Sequence, residues 1–171
     1  MNDSNNNSDR LIHAYRSMMK HLHQIFTSVQ DDIKPRIKHA LGTVSDVTNH
    51  LGELTKEEVE TVRDYVARDL HDAAKYIEDN GAEFKDWMNL EVNLVEDLVI
   101  DWMPILVDET RLVLDEFKQQ ADRLGEWHTG EVVAPGVFQC VSCGKPLELY
   151  KVGHIPPCAS CKATVFKRKQ S

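Results

Sequence analysis

The four cysteines of this chain could together bind a metal ion. They form two CxxC pairs separated by fourteen residues, and the chain has no others: Cys140, Cys143, Cys158 and Cys161. A tetrahedral Zn²⁺ ion takes four sulfur ligands at about 2.3 Å, and two short chelating turns can supply them. Because four thiolates leave no coordination position for water or substrate, the spacing predicts one structural zinc ion rather than a catalytic one.

Two other uses of the cysteines compete with this interpretation. If zinc were released, pairwise oxidation of the thiols would make the cluster a redox switch. His154 lies four residues before Cys158 and could replace one sulfur ligand, although four cysteines already complete the shell. The spacing favours a closed structural site over both.

The rest of the chain shows no pattern of catalytic residues. It contains no GxGxxG, GxxxxGK[ST] or GxSxG motif, and no histidine follows a glutamate at the spacing of di-iron or zincin sites. Several carboxylates flank apolar positions, and we interpret them as a solvated helix face: Glu91, Glu96, Asp97, Asp101, Asp108 and Glu109. The sequence therefore predicts a protein without enzymatic activity.

Length and composition indicate a folded protein of one ordinary domain and a small module. The chain has 171 residues, of which 42% are hydrophobic. Residues 1–9 are polar and rich in asparagine, which predicts a disordered tail and no secretory signal. The most apolar stretch, residues 92–107, is interrupted by carboxylates and is shorter than the roughly 20 residues of a membrane span. Thiolate metal ligands without an export signal predict a cytoplasmic protein.

Charge is distributed unevenly along the chain, which has a net charge of −8. Residues 1–52 sum to +1, residues 53–126 to −13 and residues 127–171 to +4. The acidic middle repels phosphate backbones. Basic residues near the C-terminus could attract them: Lys162, Lys167, Arg168 and Lys169. Nucleic-acid binding, to RNA or DNA, is therefore an alternative to protein binding.

Apolar residues recur at steps of three and four up to about residue 126, which predicts amphipathic helices. Two such segments begin near Leu11 and Ile33, with Pro35 in the first turn of the second. A third begins at Thr55, because Thr55 and Glu58 match the T-x-x-E capping box.

Breaks in the later part of the helical pattern decide how the helices can pack. Gly81 predicts the end of the third helix, and the apolar pattern then resumes from Phe84 to Trp102 and from Leu106 to Leu124. Pro104 must bend a helix or open a new one. These breaks favour a helical bundle or antiparallel helices, with an extended coiled-coil arm as the alternative.

The composition changes after Gly125 to short β-type runs separated by glycine and proline: residues 131–133, 137–139, 147–150 and 164–166. This module has too few apolar residues to fold unaided, so a metal must stabilise it. Gly144 follows the first CxxC pair, whereas Lys162 follows the second, which predicts a less tight second turn. Trp127 is expected to seal the module against the helices.

Several of these segments resemble the YbeL-like family of bacterial zinc-ribbon proteins, a domain of unknown function. The similar segments are Gly52-Glu53-Leu54-Thr55 with Glu58-Val59, then His128-Thr129-Gly130-Glu131-Val132-Val133, and finally Pro157-Cys158, Cys161 and Phe166-Lys167-Arg168. The second turn departs from the family's CPxCG pattern, which affects its geometry and not its ligands. The resemblance implies a cytoplasmic zinc-binding protein with no assigned reaction.

Together these observations predict a mainly α protein that carries a small C-terminal β zinc ribbon. The expected organisation is a disordered tail over residues 1–9, an acidic helical domain over 10–126 and a Cys₄ zinc ribbon over 127–171. We expect a protein-interaction or adaptor module that binds a protein partner, or itself, through the acidic helices.

Overall fold

The computed structural model describes residues 2–30, 32, 34–50, 54–91, 94–95, 97–114 and 125–170. For residues 2–7 and 47–50 it describes the backbone alone. The described residues form five α-helices: α1 (Asn2–Ser28), α2 (Ile37–His50), α3 (Lys56–Asn80), α4 (Phe84–Met88) and α5 (Val99–Arg111). Six short strands follow: β1 (Trp127–His128), β2 (Val132–Val133), β3 (Gly136–Cys140), β4 (Pro146–Leu149), β5 (Gly153–His154) and β6 (Val165–Arg168). Within these ranges no helix is long and apolar enough to cross a bilayer.

Helices α1, α2, α3 and α5 pack around one hydrophobic core. Their apolar residues lie three or four positions apart, so one face of each helix is buried. Tyr15 and Leu22 of α1, Val66 of α3 and Met103 of α5 are fully shielded from solvent. The predicted mainly α fold with a helical bundle is confirmed.

Helix α3 begins and ends where the sequence predicts. The Thr55 hydroxyl oxygen accepts a 3.2 Å hydrogen bond from the Glu58 backbone N–H, and the Thr55 backbone N–H donates a 2.7 Å hydrogen bond to the Glu58 carboxylate. This reciprocal pair satisfies two backbone N–H donors at the helix start. Gly81 ends the helix with a left-handed φ of 60°, a conformation that costs glycine little.

The predicted continuous helix from Phe84 to Trp102 is wrong. Helix α4 stops at Met88 because Asn89 adopts a left-handed φ of 54°, which asparagine tolerates better than most residues. Helix α5 starts only at Val99, and Pro104 lies inside it instead of opening a new helix. Proline there removes one backbone hydrogen bond and crowds the carbonyl group four residues earlier, and the buried apolar face of α5 offsets this cost.

The remaining helix boundaries differ in smaller ways. Helix α2 starts at Ile37, so Pro35 precedes the helix instead of occupying its first turn. Helix α1 extends to Asn2, where the sequence predicts a disordered tail. Extending an existing helix adds one hydrogen bond for each residue fixed, which offsets the poor helix propensity of the polar residues. The predicted helix beyond residue 114 lies outside the described residues until position 125.

The C-terminal strands form two antiparallel sheets. One has four strands in the order β1-β6-β3-β4, and the other pairs β2 with β5. In the larger sheet Trp127 and Cys140 both pair with Phe166, which places the first cysteine beside an aromatic core. Trp127, Phe138 and Phe166 form the centre of that small core.

Part of the C-terminal β region belongs to the core of the helices. Val132, Ala134 and Val152 are buried in the same hydrophobic cluster as α1, α3 and α5. The remaining β core residues form a separate cluster around Trp127. The helices and the β region therefore share buried apolar surface.

Candidate metal centre

The structure brings the four predicted cysteines together. Their sulfur atoms all lie within 4.8 Å of one another. The Sγ atoms of Cys140 and Cys161 are 3.6 Å apart, as are those of Cys143 and Cys158. A tetrahedron with Zn–S bonds of about 2.3 Å has edges of about 3.8 Å, so these donors fit zinc. With all four positions taken by sulfur, the shell would leave no site for a reacting molecule.

His154 is not placed as a metal ligand. Its Nδ1 atom lies 2.6 Å from the Gly130 carbonyl oxygen, and its Nε2 atom lies 2.9 Å from the Ser8 carbonyl oxygen. Both ring nitrogens are therefore engaged with the backbone, one of them on α1. Among the described residues, the candidate metal ligands of this cluster are the four cysteine sulfur atoms.

The two CxxC turns have the same backbone geometry. In the first, the Gly144 N–H donates to the Cys140 carbonyl at 2.9 Å, and in the second the Lys162 N–H donates to the Cys158 carbonyl at 2.9 Å. Gly144 has a φ of 73°, and Lys162 adopts the same left-handed region at 63°. The predicted looser second turn is wrong, because lysine takes up the strained conformation that closes it.

Each turn contributes one buried and one exposed ligand. Cys140 and Cys158 are buried at the ends of the turns nearest the β core, whereas Cys143 and Cys161 face solvent. A bound ion would therefore be covered by protein on one side and reachable by chelators on the other.

The thiols differ in acidity before any metal binds. Backbone N–H groups of Cys161 and Ser160 stabilise the thiolate of Cys158 and lower its pKa to about 6. The Ala163 backbone lowers the pKa of Cys161, but its sulfur neighbours, led by Cys143, and desolvation together raise it to about 12. A zinc ion must displace the protons held by the cluster, so metal binding releases protons and weakens as pH falls.

A family comparison supports the same assignment. The model of a family described as "Zinc-ribbon containing domain" matches residues 24–170. The chain belongs to this zinc-ribbon family. It is 26% identical to the "Uncharacterized protein YbeL" of Escherichia coli (strain K12) over 161 residues, which cover 94% of this chain and 97% of that protein. The YbeL proteins of two other Escherichia coli strains, O6:H1 and O157:H7, match equally well. No solved structure matches.

The zinc ribbon, here the β region from Trp127 to Arg168, contacts helix α3 through a buried carboxylate. Asp69 is fully buried and accepts hydrogen bonds from the Tyr15 hydroxyl at 2.8 Å, the Trp127 indole at 3.1 Å and the Ala134 backbone N–H at 2.7 Å. Desolvation, reinforced by the Asp69 charge, raises the pKa of Tyr15 well above its ordinary value. Trp127 thus joins the ribbon to the helices, as the sequence predicts.

A second carboxylate of α3 pairs with a buried arginine of β6. The Arg168 guanidinium lies 3.9 Å from the centre of the Trp87 ring and 4.4 Å from that of Phe138, and its Nε atom is 3.6 Å from Asp72. One Nη atom donates to the Pro135 carbonyl at 3.0 Å. Burial lowers the pKa of Arg168 and raises that of Asp72, since both lose hydration.

Gly136 makes room for this arginine. A Cβ atom at position 136 would lie 1.8 Å from Arg168 Nη1, so any larger residue would displace the guanidinium. The predicted basic surface is therefore wrong in one respect, because Arg168 is a core residue. Lys162, Lys167 and Lys169 remain exposed.

The predicted solvated acidic face is also wrong at one position. Asp97 is buried and accepts a 2.8 Å hydrogen bond from Arg16 and a 2.9 Å hydrogen bond from the Val152 backbone N–H. It therefore ties α1 to the ribbon. Glu91, Asp101 and Asp108 are exposed, Glu109 is half-buried, and Glu96 lies outside the described residues.

Sequence reasoning missed Asp69, Asp72 and Arg168 as structural residues. One signal was present: Asp69 lies three residues after Val66 and directly before Leu70, on the apolar face of α3. A carboxylate on a buried face needs donors from elsewhere in the chain. Only the tertiary structure shows which residues provide these donors.

Proposed function

We propose that this protein is a zinc-stabilised protein-interaction module without catalytic activity, which binds one structural Zn²⁺ ion and works in the reducing cytoplasm. The observation that carries the proposal is the buried contact between the ribbon and α3, through Asp69 and Trp127 and through Asp72 and Arg168. Metal binding in the ribbon then fixes the shape of the helical surface. Such a centre serves recognition and has no open coordination position for chemistry.

The locations of the perturbed groups support a structural role. Burial is the main cause of the shifted pKa values of Tyr15, Asp72 and Arg168. Burial lowers the pKa of Arg68, but the charges of Asp69 and Glu131 outweigh it and raise that pKa. Tyr15 donates to Asp69 within the helices. Arg68, Asp72 and Arg168 have partners across the boundary between the helices and the ribbon, as when Arg68 donates to Glu131. Shifted groups can mark active sites, but here each of the four contacts a side chain or a backbone carbonyl of the protein itself.

The burial of Arg168 favours a protein partner over a nucleic acid. Removing this guanidinium from the surface leaves Lys162, Lys167 and Lys169 as the exposed cations of the C-terminal cluster. Three flexible lysines next to a helical region of net charge −13 provide few phosphate contacts.

The test compares the two ligand classes with the full-length, zinc-loaded protein. Binding of labelled mixed RNA and DNA is measured against salt concentration, and protein partners are identified by affinity capture with cross-links mapped to residues. We expect no nucleic-acid binding at physiological salt and stoichiometric capture of a protein cross-linked to the helices.

Charge-reversal variants make the comparison specific. Lys167→Glu with Lys169→Glu alters the ribbon tail, and Lys56→Glu with Lys75→Glu is the matched control on α3. Nucleic-acid binding at physiological salt that the first pair abolishes and the second preserves would overturn the proposal.

A further inference from the structure

Helix α5 presents an apolar stripe to solvent. Six large apolar side chains are exposed among the described residues, and four of them lie in α5 or directly beside it. Ile105 lies within the helix, Leu94 and Leu98 precede it, and Leu112 follows it as the C-cap residue. Leu98, Ile105 and Leu112 are seven residues apart, which places them on one face of the helix over about 21 Å. We call these three residues the α5 stripe.

The opposite face of α5 already supplies the core of the bundle. Val99, Met103 and Leu106 are fully buried against α1 and α3. A surface helix normally has one apolar face and one polar face. The α5 stripe is therefore additional to what folding requires. Leu98 is 67% exposed and Leu112 is 80% exposed, so they contribute little to the core.

Carboxylates lie beside the stripe at the same seven-residue repeat. Asp101 and Asp108 each follow a stripe residue by three positions, and both are exposed. Arg111, the cation of α5, is shared between Glu78 at 3.1 Å and Asp108 at 3.6 Å, so it offsets only part of the Asp108 charge and none of that of Asp101. The exposed face thus combines apolar side chains with negative charge.

We propose that the α5 stripe binds an amphipathic helix of a partner protein that carries lysine or arginine opposite Asp101 and Asp108. This inference rests on the proposed function and specifies the partner's chemistry. Apolar side chains of the partner would cover Leu98, Ile105 and Leu112, and its cations would face the two carboxylates. A second copy of this chain fits poorly, because pairing two stripes would bring like charges together.

The test uses synthetic peptides and the full-length, zinc-loaded protein. The basic peptide has about 21 residues, with leucine at every seventh position and lysine three residues after each leucine. The acidic control has glutamate in place of each lysine. We expect fluorescence anisotropy to show about tenfold or greater preference for the basic peptide at low salt, reduced by added salt.

Variants assign the binding to the stripe. Leu98→Ser with Leu112→Ser should weaken basic-peptide binding about tenfold or more. The matched control, Tyr150→Ser, removes an exposed apolar side chain of the ribbon away from the two CxxC turns and should leave binding unchanged. Asp101→Lys with Asp108→Lys should reverse the preference toward the acidic peptide. Since all of these side chains are exposed, circular dichroism should show an unchanged fold.

Three outcomes would overturn the inference. The first is equal affinity for the two peptides. The second is an equal loss of basic-peptide affinity in the stripe and control variants. The third is a dimer of the free protein that the serine substitutions dissociate. Failure of the proposed function would look different. If affinity capture yields a partner whose binding survives the stripe variants, only this inference fails, whereas binding of nucleic acid through Lys167 and Lys169 rejects the proposed function itself.

Discussion

At the scale of single residues, Arg168 shows how a cation can become part of a protein core. Its guanidinium is enclosed by Trp87 and Phe138 and faces the Asp72 carboxylate. Aromatic faces attract cations, and the weakly hydrated guanidinium is easier to desolvate than an ammonium group. The pairing therefore depends on arginine in particular.

Replacing Arg168 by methionine should destabilise the zinc-loaded protein by about 3 kcal/mol, because the largely buried Asp72 carboxylate would lose the guanidinium that faces it. Urea unfolding followed by tryptophan fluorescence measures the change. Lys167→Met, one residue earlier and exposed, serves as the control and should change stability by less than about 0.5 kcal/mol. Equal effects of the two substitutions would contradict the assigned role.

His71 predicts a pH dependence of stability. This histidine is buried in α3, and desolvation, followed by the Lys75 charge, lowers its pKa below the ordinary value of 6.5. The folded protein therefore holds His71 as a neutral ring. The contribution of His71 to the free energy of unfolding is present in full above pH 6.5 and is lost as pH falls through the folded-state pKa.

We expect the free energy of unfolding to decrease from about pH 6.5 downward, and His71→Gln to make that decrease shallower. Unfolding curves of both proteins, measured with zinc in excess, give the comparison. Acid also protonates the cysteine ligands, but that contribution is common to both proteins and cancels in the difference. Parallel pH profiles would show that His71 does not titrate on unfolding.

At the scale of elements, the two CxxC turns allow a reciprocal experiment. Lys162 has a left-handed φ of 63°, which costs a lysine about 1 kcal/mol, whereas Gly144 adopts the equivalent conformation without strain. Lys162→Gly should therefore strengthen zinc binding by up to about fivefold, and Gly144→Lys should weaken it by at least as much. Competition with a chromophoric chelator measures both. The same direction of change in the two variants would refute the strain argument.

The helices differ in how far local sequence determines them. Helix α3 could be predicted at both ends, because Thr55, Glu58 and Gly81 act within one turn of the chain. Helix α4 could not, since the left-handed Asn89 that ends it has no distinctive signal in the apolar pattern, and its Trp87 indole is held by a 2.7 Å hydrogen bond to Asp72 on α3. The apolar pattern continues past Met88 although the helix does not.

The metal centre likewise has one part that the sequence predicts and one part that it does not. The cysteines could be identified from their spacing, because each CxxC turn is a local chelating unit. The ribbon's attachment could not, since Asp69 and its partner Trp127 are 58 positions apart. Pairings over such distances result from packing and leave no periodic trace in the sequence.

At the scale of the whole molecule, shared burial couples the ribbon to the bundle. Val132, Ala134 and Val152 complete the helical core, and Asp69 and Asp97 accept backbone hydrogen bonds from the ribbon. The division into a helical domain over residues 10–126 and a ribbon over residues 127–171 stays a prediction. The helices would lose stability without the ribbon, because the buried Asp69 and Asp97 carboxylates would lose the donors that the ribbon supplies.

Chelation of zinc should therefore lower the melting temperature of the helices as well as unfold the ribbon. For a protein of this size a loss of about 3 kcal/mol corresponds to about 10 °C. Far-ultraviolet circular dichroism follows the helices, and the fluorescence of a variant with Trp87→Phe and Trp102→Phe follows Trp127. Zinc added back should restore both signals. Helical melting that is indifferent to the chelator would show that the ribbon is an independent unit.

The buried pair between α3 and β6 also has a consequence for synthesis. Arg168 is made 96 positions after Asp72, the difference between their residue numbers. At about 5–20 residues per second, a ribosome needs roughly 5–20 s to span that interval. During this time the growing helices present water-exposed acids and uncovered leucines and valines. We expect nascent chains to need chaperone protection until the last strand emerges and metal is loaded.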